Sequence, residues 1–165
     1  MIKPGKQINP VTEKPLNRHQ QQPSVAIAHR KELVGQISLA LGQHGVRHKI
    51  IGPDHLIRFV IQRQKLKLGR DFYDPHAPCA VASVNTLVSK KSMAQLKNFY
   101  QQVRLWVMDE GHHIVAGNMW GRAIEQMPNA KGLAVTATPC RADGKGLGRH
   151  ADGLMDTLVE GPTMR

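Results

Sequence analysis

Short apolar runs alternate with segments of helical period, and this alternation limits the fold more than any other feature of the chain. Four runs have the length and composition of strands: SVAIA, CAVASV, RLWVM and GLAVTA. The last three have the composition of buried strands, and a fifth candidate is VRHKII. After the first run, Leu33, Ile37 and Leu41 recur every four residues, and Gly45 stands where such a helix would end. Strands that alternate with amphipathic helices predict an α/β fold, a parallel sheet with helices on both faces.

Two further segments carry helical signals. Asp54 stands where its side chain would cap a helix over HLIRFVIQRQKLKL, and the loop GRDFYDPHAP follows that segment. Between the last two strand candidates, Trp120, Ile124 and Met127 mark one apolar helical face.

The first 23 residues differ in composition from the rest of the chain. They hold four prolines, three consecutive glutamines and few apolar residues. Such a composition cannot bury enough apolar surface to offset the entropy of ordering the backbone. We therefore predict a disordered or poorly packed leader at 1–23 and one folded domain at 24–165.

The charge balance points to a polyanionic partner. The chain has 23 lysines and arginines against 12 acids, a formal net charge of +11. Nucleic acid is the default partner for such an excess, although a basic surface that is merely solvated would give the same count. No apolar run is long enough to span a membrane, and the N-terminus lacks the apolar region of a secretory signal. Two distant cysteines, Cys79 and Cys140, fit a reducing compartment, so we predict a cytoplasmic protein.

Polar residues follow four of the predicted strands at the point where each strand ends. SVAIA is followed by HRKEL, CAVASV by NTL, RLWVM by DEGHH and GLAVTA by TPCRADGKGLGRH. Ligands of open parallel sheets bind outside the carboxyl ends of the strands. The sequence therefore predicts a functional surface along this edge of the sheet.

The acidic pair Asp109–Glu110 has the chemistry of a magnesium-nucleotide site. Magnesium binds through one or two carboxylates together with phosphate oxygens, and a neighbouring carboxylate can polarise the attacking water. The alternative is that Asp109 only caps the next helix. No H-E-x-x-H pattern or cysteine pair accompanies the histidines that follow, so a metal-ligand role for His113 is not expected.

A magnesium-nucleotide site also needs a phosphate-binding loop, and the pattern G-x-x-x-x-G-K-[ST] does not occur in the 165 residues. One Gly-Lys pair precedes Gln7 and the other precedes Gly146, so neither supplies the required hydroxyl. The basic loop CRADGKGLGRH could still hold phosphate through side chains and backbone amides, or it could be a flexible connector.

The segments AHRKEL, VASVNTL, VMDEGHH and VTATPCR resemble, in order, the successive motifs of superfamily 2 helicases of the DEAD/DEAH-like group. The resemblance runs from about residue 24 nearly to the C-terminus. It is closest to bacterial and phage helicases whose third motif continues into RADGKGLGRHADG. It implies a RecA-like fold with ATP and magnesium as cofactors.

The resemblance assigns roles to individual residues. Asp109 corresponds to the aspartate that holds magnesium through water, Glu110 to the catalytic base, and His112 to the residue that links the nucleotide site to the neighbouring domain. The residues matching the third motif, which couples hydrolysis to strand separation, are Thr136, Ala137 and Thr138. The residues matching the two nucleic-acid contact segments are His29, Arg30, Ser83, Asn85 and Thr86.

Each assignment has a plainer alternative. Asn85 stands where the family has glutamine, which favours a backbone role over a side-chain role there. Thr136 and Thr138 could be ordinary strand residues, and Arg30 could simply solvate the start of a helix.

In the resembled family the phosphate loop lies just before the strand that here is SVAIA, where this chain has the leader. The expectation is thus a RecA-like domain without its first strand and phosphate loop, part of an ATP-dependent DNA or RNA helicase, with weak or no ATPase activity alone. A truncated frame, a split gene and an incomplete gene model all fit. The expected partner is nucleic acid, DNA in preference to RNA, with the remaining helicase portions on another chain. The alternative is a non-catalytic, basic nucleic-acid-binding remnant.

Overall fold

Five parallel strands form one sheet in the order β2-β3-β1-β4-β5. The computed structural model describes residues 22–138, 140–141, 143–151 and 153–161, so most of the predicted leader at 1–23 lies outside the described residues. The strands are β1 (Ser24–Ala28), β2 (Lys49–Ile51), β3 (Cys79–Ser83), β4 (Leu105–Asp109) and β5 (Lys131–Val135). The prediction of an α/β fold with a parallel sheet is confirmed, and the arrangement is that of a RecA-like domain.

Six helices connect the strands. They are α1 (Lys31–Gln43), α2 (Asp54–Leu68), α3 (Val84–Leu87), α4 (Lys90–Gln95), α5 (Lys97–Gln102) and α6 (Met119–Glu125), and short 3₁₀ turns occupy Gly111–His113 and Arg149–Ala151. The helix predicted after the first strand ends as expected, since Gly45 adopts φ 71° just beyond it. None of the helices in the described part of the chain is both long and apolar enough to cross a membrane.

Two apolar clusters hold the helices against opposite faces of the sheet. Helices α1 and α2 bury Val34, Leu56 and Val60 against Ile50 and Val81. On the other face, α3, α5 and α6 enclose the larger cluster, whose fully buried members include Ile27, Leu87, Tyr100, Met108, Ile114 and Met127. Each β strand in the middle of the sheet is thus buried on both sides, as parallel sheets require.

Some local expectations were wrong. Asp54 does not cap α2, because Pro53 occupies the cap position and no side chain forms a hydrogen bond there. Asp54 is the first residue of the helix, where its negative charge stabilises the positive end of the helix dipole. The run GLAVTA is not a buried strand, because β5 lies at the edge of the sheet and leaves Leu133 54% and Val135 52% exposed. Among the described residues, β5 pairs only with β4, and α1 packs over β1 and β3 rather than over β5.

A buried polar network ties α1, α2 and β2 together. The imidazole of His48 donates from Nδ1 to the Val46 carbonyl at 2.9 Å and meets the Ser38 hydroxyl with Nε2 at 2.6 Å. Gln64 donates to the backbone carbonyl of Ser38 at 2.8 Å and accepts from the amide of Phe72 at 2.7 Å. Ser38, His48 and Gln64 are each at most 1% exposed. Since their polar groups are paired, burying them carries little of the usual desolvation cost.

This network should make the fold sensitive to acid. Burial lowers the pKa of His48 below its ordinary value of 6.5. The unfolded chain therefore binds a proton at a pH where the folded chain does not, so the free energy of unfolding should fall as pH drops below about 6.5. Urea unfolding at about pH 7.5 and about pH 5.5 measures this change. His48→Gln should weaken the pH dependence, whereas the exposed control His44→Gln should keep it; equal pH dependence in all three proteins would contradict the assignment.

Candidate functional site

The carboxyl ends of the strands bring most of the predicted site residues to one edge of the sheet. The register pairs Ala28 with Ser83, Ile27 with Met108, and Asp109 with Val135, so β1, β3, β4 and β5 end at the same level. The residues at this edge are His29 and Arg30 after β1, Ser83 at the end of β3, Asn85 and Thr86 in α3, Asp109, Glu110 and His112 at and after β4, and Thr136, Ala137 and Thr138 after β5.

A tight turn holds the acidic pair. The carboxylate of Asp109 accepts a hydrogen bond from the Glu110 amide at 2.9 Å. Glu110 adopts φ 58°, the left-handed region, and it is the one non-glycine residue among those described to do so. Gly111 has no room for a side chain, since an added Cβ would lie 2.6 Å from the Cβ of Ala134. Asp109 therefore braces a strained turn and does not cap a helix, which excludes the capping alternative.

His112 connects the ends of β4 and β5. Its Nδ1 lies 2.9 Å from the hydroxyl of Thr136, 3.4 Å from that of Thr138, and 3.3 Å from a carboxylate oxygen of Glu110. The Thr136 hydroxyl in turn donates to the Thr138 carbonyl at 3.0 Å. The acidic turn and the segment after β5 therefore share one hydrogen-bonded unit.

Comparison with known families agrees with this arrangement. Residues 11–141 match the family described as type III restriction enzyme, res subunit. The chain belongs to this family. It is a superfamily 2 helicase-like family, so the predicted family membership is confirmed. Domains of this kind are, in general, ATP-dependent nucleic-acid motor domains. No curated protein matches the chain significantly.

In this res-subunit domain, aromatic rings pack beside the acidic turn. The rings of His112 and His113 lie 4.1 Å apart between centroids, and His113 stacks on Trp120 at 4.8 Å. Burial, followed by the neighbouring His112 and His29, lowers the pKa of His113, which favours its neutral form. No cluster of three potential metal ligands occurs in the part of the chain that the structure describes.

A cavity of about 490 Å³ opens between the ends of β1 and β4. His29, Arg30, Glu110 and His113 contribute to its lining. Cationic and carboxylate groups therefore face one solvent-filled space. The lining includes the carboxylate residue Glu110 and the guanidinium residue Arg30, which are groups of the types that bind magnesium and phosphate.

The sequence did not indicate the role of Arg141 in the basic loop. Arg141 is 8% exposed, donates to the Ala151 carbonyl at 2.6 Å and lies 3.4 Å from a carboxylate oxygen of Asp143. Its guanidinium holds the loop together from inside and does not face outward toward a phosphate. The only sequence signal for this role was an acid two residues after the arginine.

The backbone strain at Glu110 should be measurable as a difference in the free energy of unfolding between two variants. Glycine adopts φ 58° without a Cβ penalty, whereas glutamine keeps the penalty of glutamate. We expect Glu110→Gly to unfold with a free energy higher by about 1 kcal/mol than Glu110→Gln, since a left-handed residue with a Cβ costs roughly 1–2 kcal/mol. Urea unfolding of the two variants, which both lack the carboxylate, makes the comparison. A glycine variant less stable than the glutamine variant would show that the turn is not strained.

Proposed function

We propose that this chain is part of a helicase motor domain that hydrolyses magnesium-ATP and couples hydrolysis to movement on nucleic acid, with DNA as the preferred substrate. The observation that carries the proposal is the unit formed by Asp109, Glu110, His112 and Thr136 at the carboxyl edge of a parallel sheet. The family membership and the basic composition support it.

In the proposed mechanism Asp109 would help to hold magnesium, which would supply positive charge to the phosphates, and Glu110 would accept the proton of the attacking water. The side chain of Glu110 is 42% exposed, so its carboxylate reaches the solvent in which that water would stand. The Asp109 carboxylate is held by the Glu110 backbone amide, and the Glu110 carboxylate lies 3.3 Å from His112 Nδ1. Such fixed carboxylates act by positioning and by electrostatic stabilisation of the transferring phosphoryl group.

His112 is the proposed coupling residue. It contacts both the Glu110 carboxylate and the Thr136 hydroxyl, so a change in charge or hydrogen bonding at Glu110 alters the bond to the segment after β5. Thr136, Ala137 and Thr138 then carry the change away from the nucleotide. His29, Arg30, Ser83, Asn85 and Thr86, at the ends of β1 and β3, are the proposed nucleic-acid contacts.

The nucleotide site can be tested by supplying a phosphate-binding loop. The pattern for such a loop is not among the 165 residues, so the unmodified chain should show weak or no ATPase activity. Replacing residues 1–23 with a strand and a Gly-Lys-Thr loop should produce magnesium-dependent ATP binding, because β5 pairs on one side only within the described residues and another strand can pair on its other side. Calorimetry with ATP and magnesium measures the binding. Hydrolysis should stay slow, since the family's second motor domain with its arginine is not supplied.

Two carboxylate variants of this chimera make the test specific. Asp109→Ala should weaken magnesium-dependent binding, whereas Glu125→Ala, which removes an exposed acid of α6, should not. If the folded chimera binds no ATP, or binds it equally well without Asp109, the acidic turn is not a nucleotide site and the non-catalytic alternative is favoured.

Binding to nucleic acid should be salt-sensitive and largely independent of sequence. Lysines and arginines displace counterions from phosphates, so affinity falls steeply as salt rises. Aromatic residues make up only 4% of the chain, so phosphate contacts should contribute more than base stacking. Titration of labelled single-stranded DNA and RNA at several salt concentrations tests this, with DNA expected to bind more tightly. Undetectable binding at low salt would contradict the nucleic-acid function.

A further inference from the structure

The imidazole of His113 is enclosed by three other rings beside the acidic turn. Its centroid lies 4.1 Å from that of His112, 4.8 Å from that of Trp120 and 6.1 Å from that of His29. Aromatic pairs pack with centroids roughly 4.5 to 7 Å apart, so the contact with Trp120 is a close one. Trp120 itself packs against the larger apolar cluster. The ring of His113 therefore connects His112 to the packed side of α6.

The backbone of His113 is held by the same helix. The side-chain amide of Asn118, the N-cap residue of α6, donates to the His113 carbonyl at 2.6 Å and accepts from the Gly121 amide at 2.9 Å. Gly121 leaves no room for a side chain, since an added Cβ would overlap the Val115 carbonyl oxygen. The start of α6 therefore fits closely against the segment after the turn, and both the ring and the backbone of His113 have fixed neighbours.

The hydrogen bonds of Thr136 assign the tautomer of His112. A hydroxyl has one donor and two acceptor sites. The Thr136 hydroxyl donates to the Thr138 carbonyl at 3.0 Å and accepts from the Thr138 amide at 3.1 Å, which leaves one acceptor site. The Nδ1 of His112, 2.9 Å away, must therefore carry a proton in order to bond there. The Glu110 carboxylate, 3.3 Å from the same nitrogen, is also an acceptor. In the neutral imidazole, Nε2 is then the nitrogen without a proton.

This bond depends on the orientation of the His112 ring. A half-turn about the Cβ–Cγ bond would replace Nδ1 by Cδ2, a carbon that cannot make the same bond to Thr136. The side chain of His112 is 22% exposed, so solvent borders part of the ring. The ring of His113 packs against it at an interplanar angle of 44° and limits this rotation.

We propose that His113 is a positioning residue for His112: its ring, packed between Trp120 and His112, keeps the His112 Nδ1–H directed at Thr136 and Glu110. This inference rests on the coupling role proposed for His112. The role requires a flat ring at position 113 and not an imidazole as such. Phenylalanine should therefore replace histidine there, whereas leucine, which has a similar size but no planar ring, should not.

The test compares His113→Phe with His113→Leu in the full chain. Long-range proton–nitrogen correlation spectra of protein labelled with heavy nitrogen in histidine show which ring nitrogen carries the proton. They are recorded at about pH 8, where histidines are largely neutral. The wild type and His113→Phe should show His112 protonated at Nδ1, with widely separated shifts for its two nitrogens. In His113→Leu the two shifts should move toward each other, because a ring that reorients exchanges between tautomers.

Two further variants make the comparison specific. His112→Gln identifies the His112 signals by removing them. The control His55→Leu makes the same replacement at an exposed residue of α2, and it should leave the His112 signals at their wild-type shifts. Circular dichroism melting checks that each variant is folded, and His113→Met, a second replacement without a ring, repeats the comparison if His113→Leu does not fold.

The outcomes separate this inference from the function on which it rests. If the ringless variant leaves the His112 signals unchanged, or if His113→Phe shifts them as far as His113→Leu does, the positioning role of His113 is wrong and the coupling role of His112 stands. If wild-type His112 carries its proton on Nε2, the bond to Thr136 is itself wrong, and the coupling role proposed for His112 fails with it.

Discussion

The pairing of β4 between β1 and β5 is the constraint on which the rest of the structure depends. Trp106 and Met108 point into the larger apolar cluster, so the alternation of side chains along β4 is fixed by burial. A slip of one residue would exchange the two faces and expose these side chains, which makes the register strongly specified. The same register sets Asp109 level with Val135 and brings His112 beside Thr136. Core packing therefore positions the acidic turn.

The parts of the fold that sequence predicted well are those decided by burial. SVAIA and CAVASV form strands because apolar side chains project from both faces of each strand. Such strands are stable only inside a sheet that is covered on both faces. The apolar residues of α1 likewise recur on one side of the helix, and they are buried only when that side packs against the sheet. No helix was predicted for the segment 84–102, which folds into three short helices that bury Leu87 and Tyr100 in the larger apolar cluster.

The parts that sequence did not predict depend on neighbours distant in the chain. β5 has the composition of a central strand, and only its place in the sheet order makes it an edge. The left-handed conformation of Glu110 and the close approach of the next residue, Gly111, to Ala134 of β5 occur together, and the approach depends on a residue distant in the chain. The predicted roles of the edge residues came from motif order. Geometry brings those residues together, while their chemistry stays a prediction.

The open edge of β5 has a consequence for the behaviour of the protein in solution. Leu133 and Val135 stand exposed along a strand that pairs on one side within the described structure, and such edges recruit strands from other copies. The net charge of +11 opposes such pairing by mutual repulsion. At roughly 0.1 M, salt screens that repulsion between charges more than about 10 Å apart. Rising ionic strength therefore weakens the repulsion that opposes self-association, and it also weakens the binding of any polyanion. A bound polyanion favours self-association by a different route, because it neutralises the positive charge that causes the repulsion.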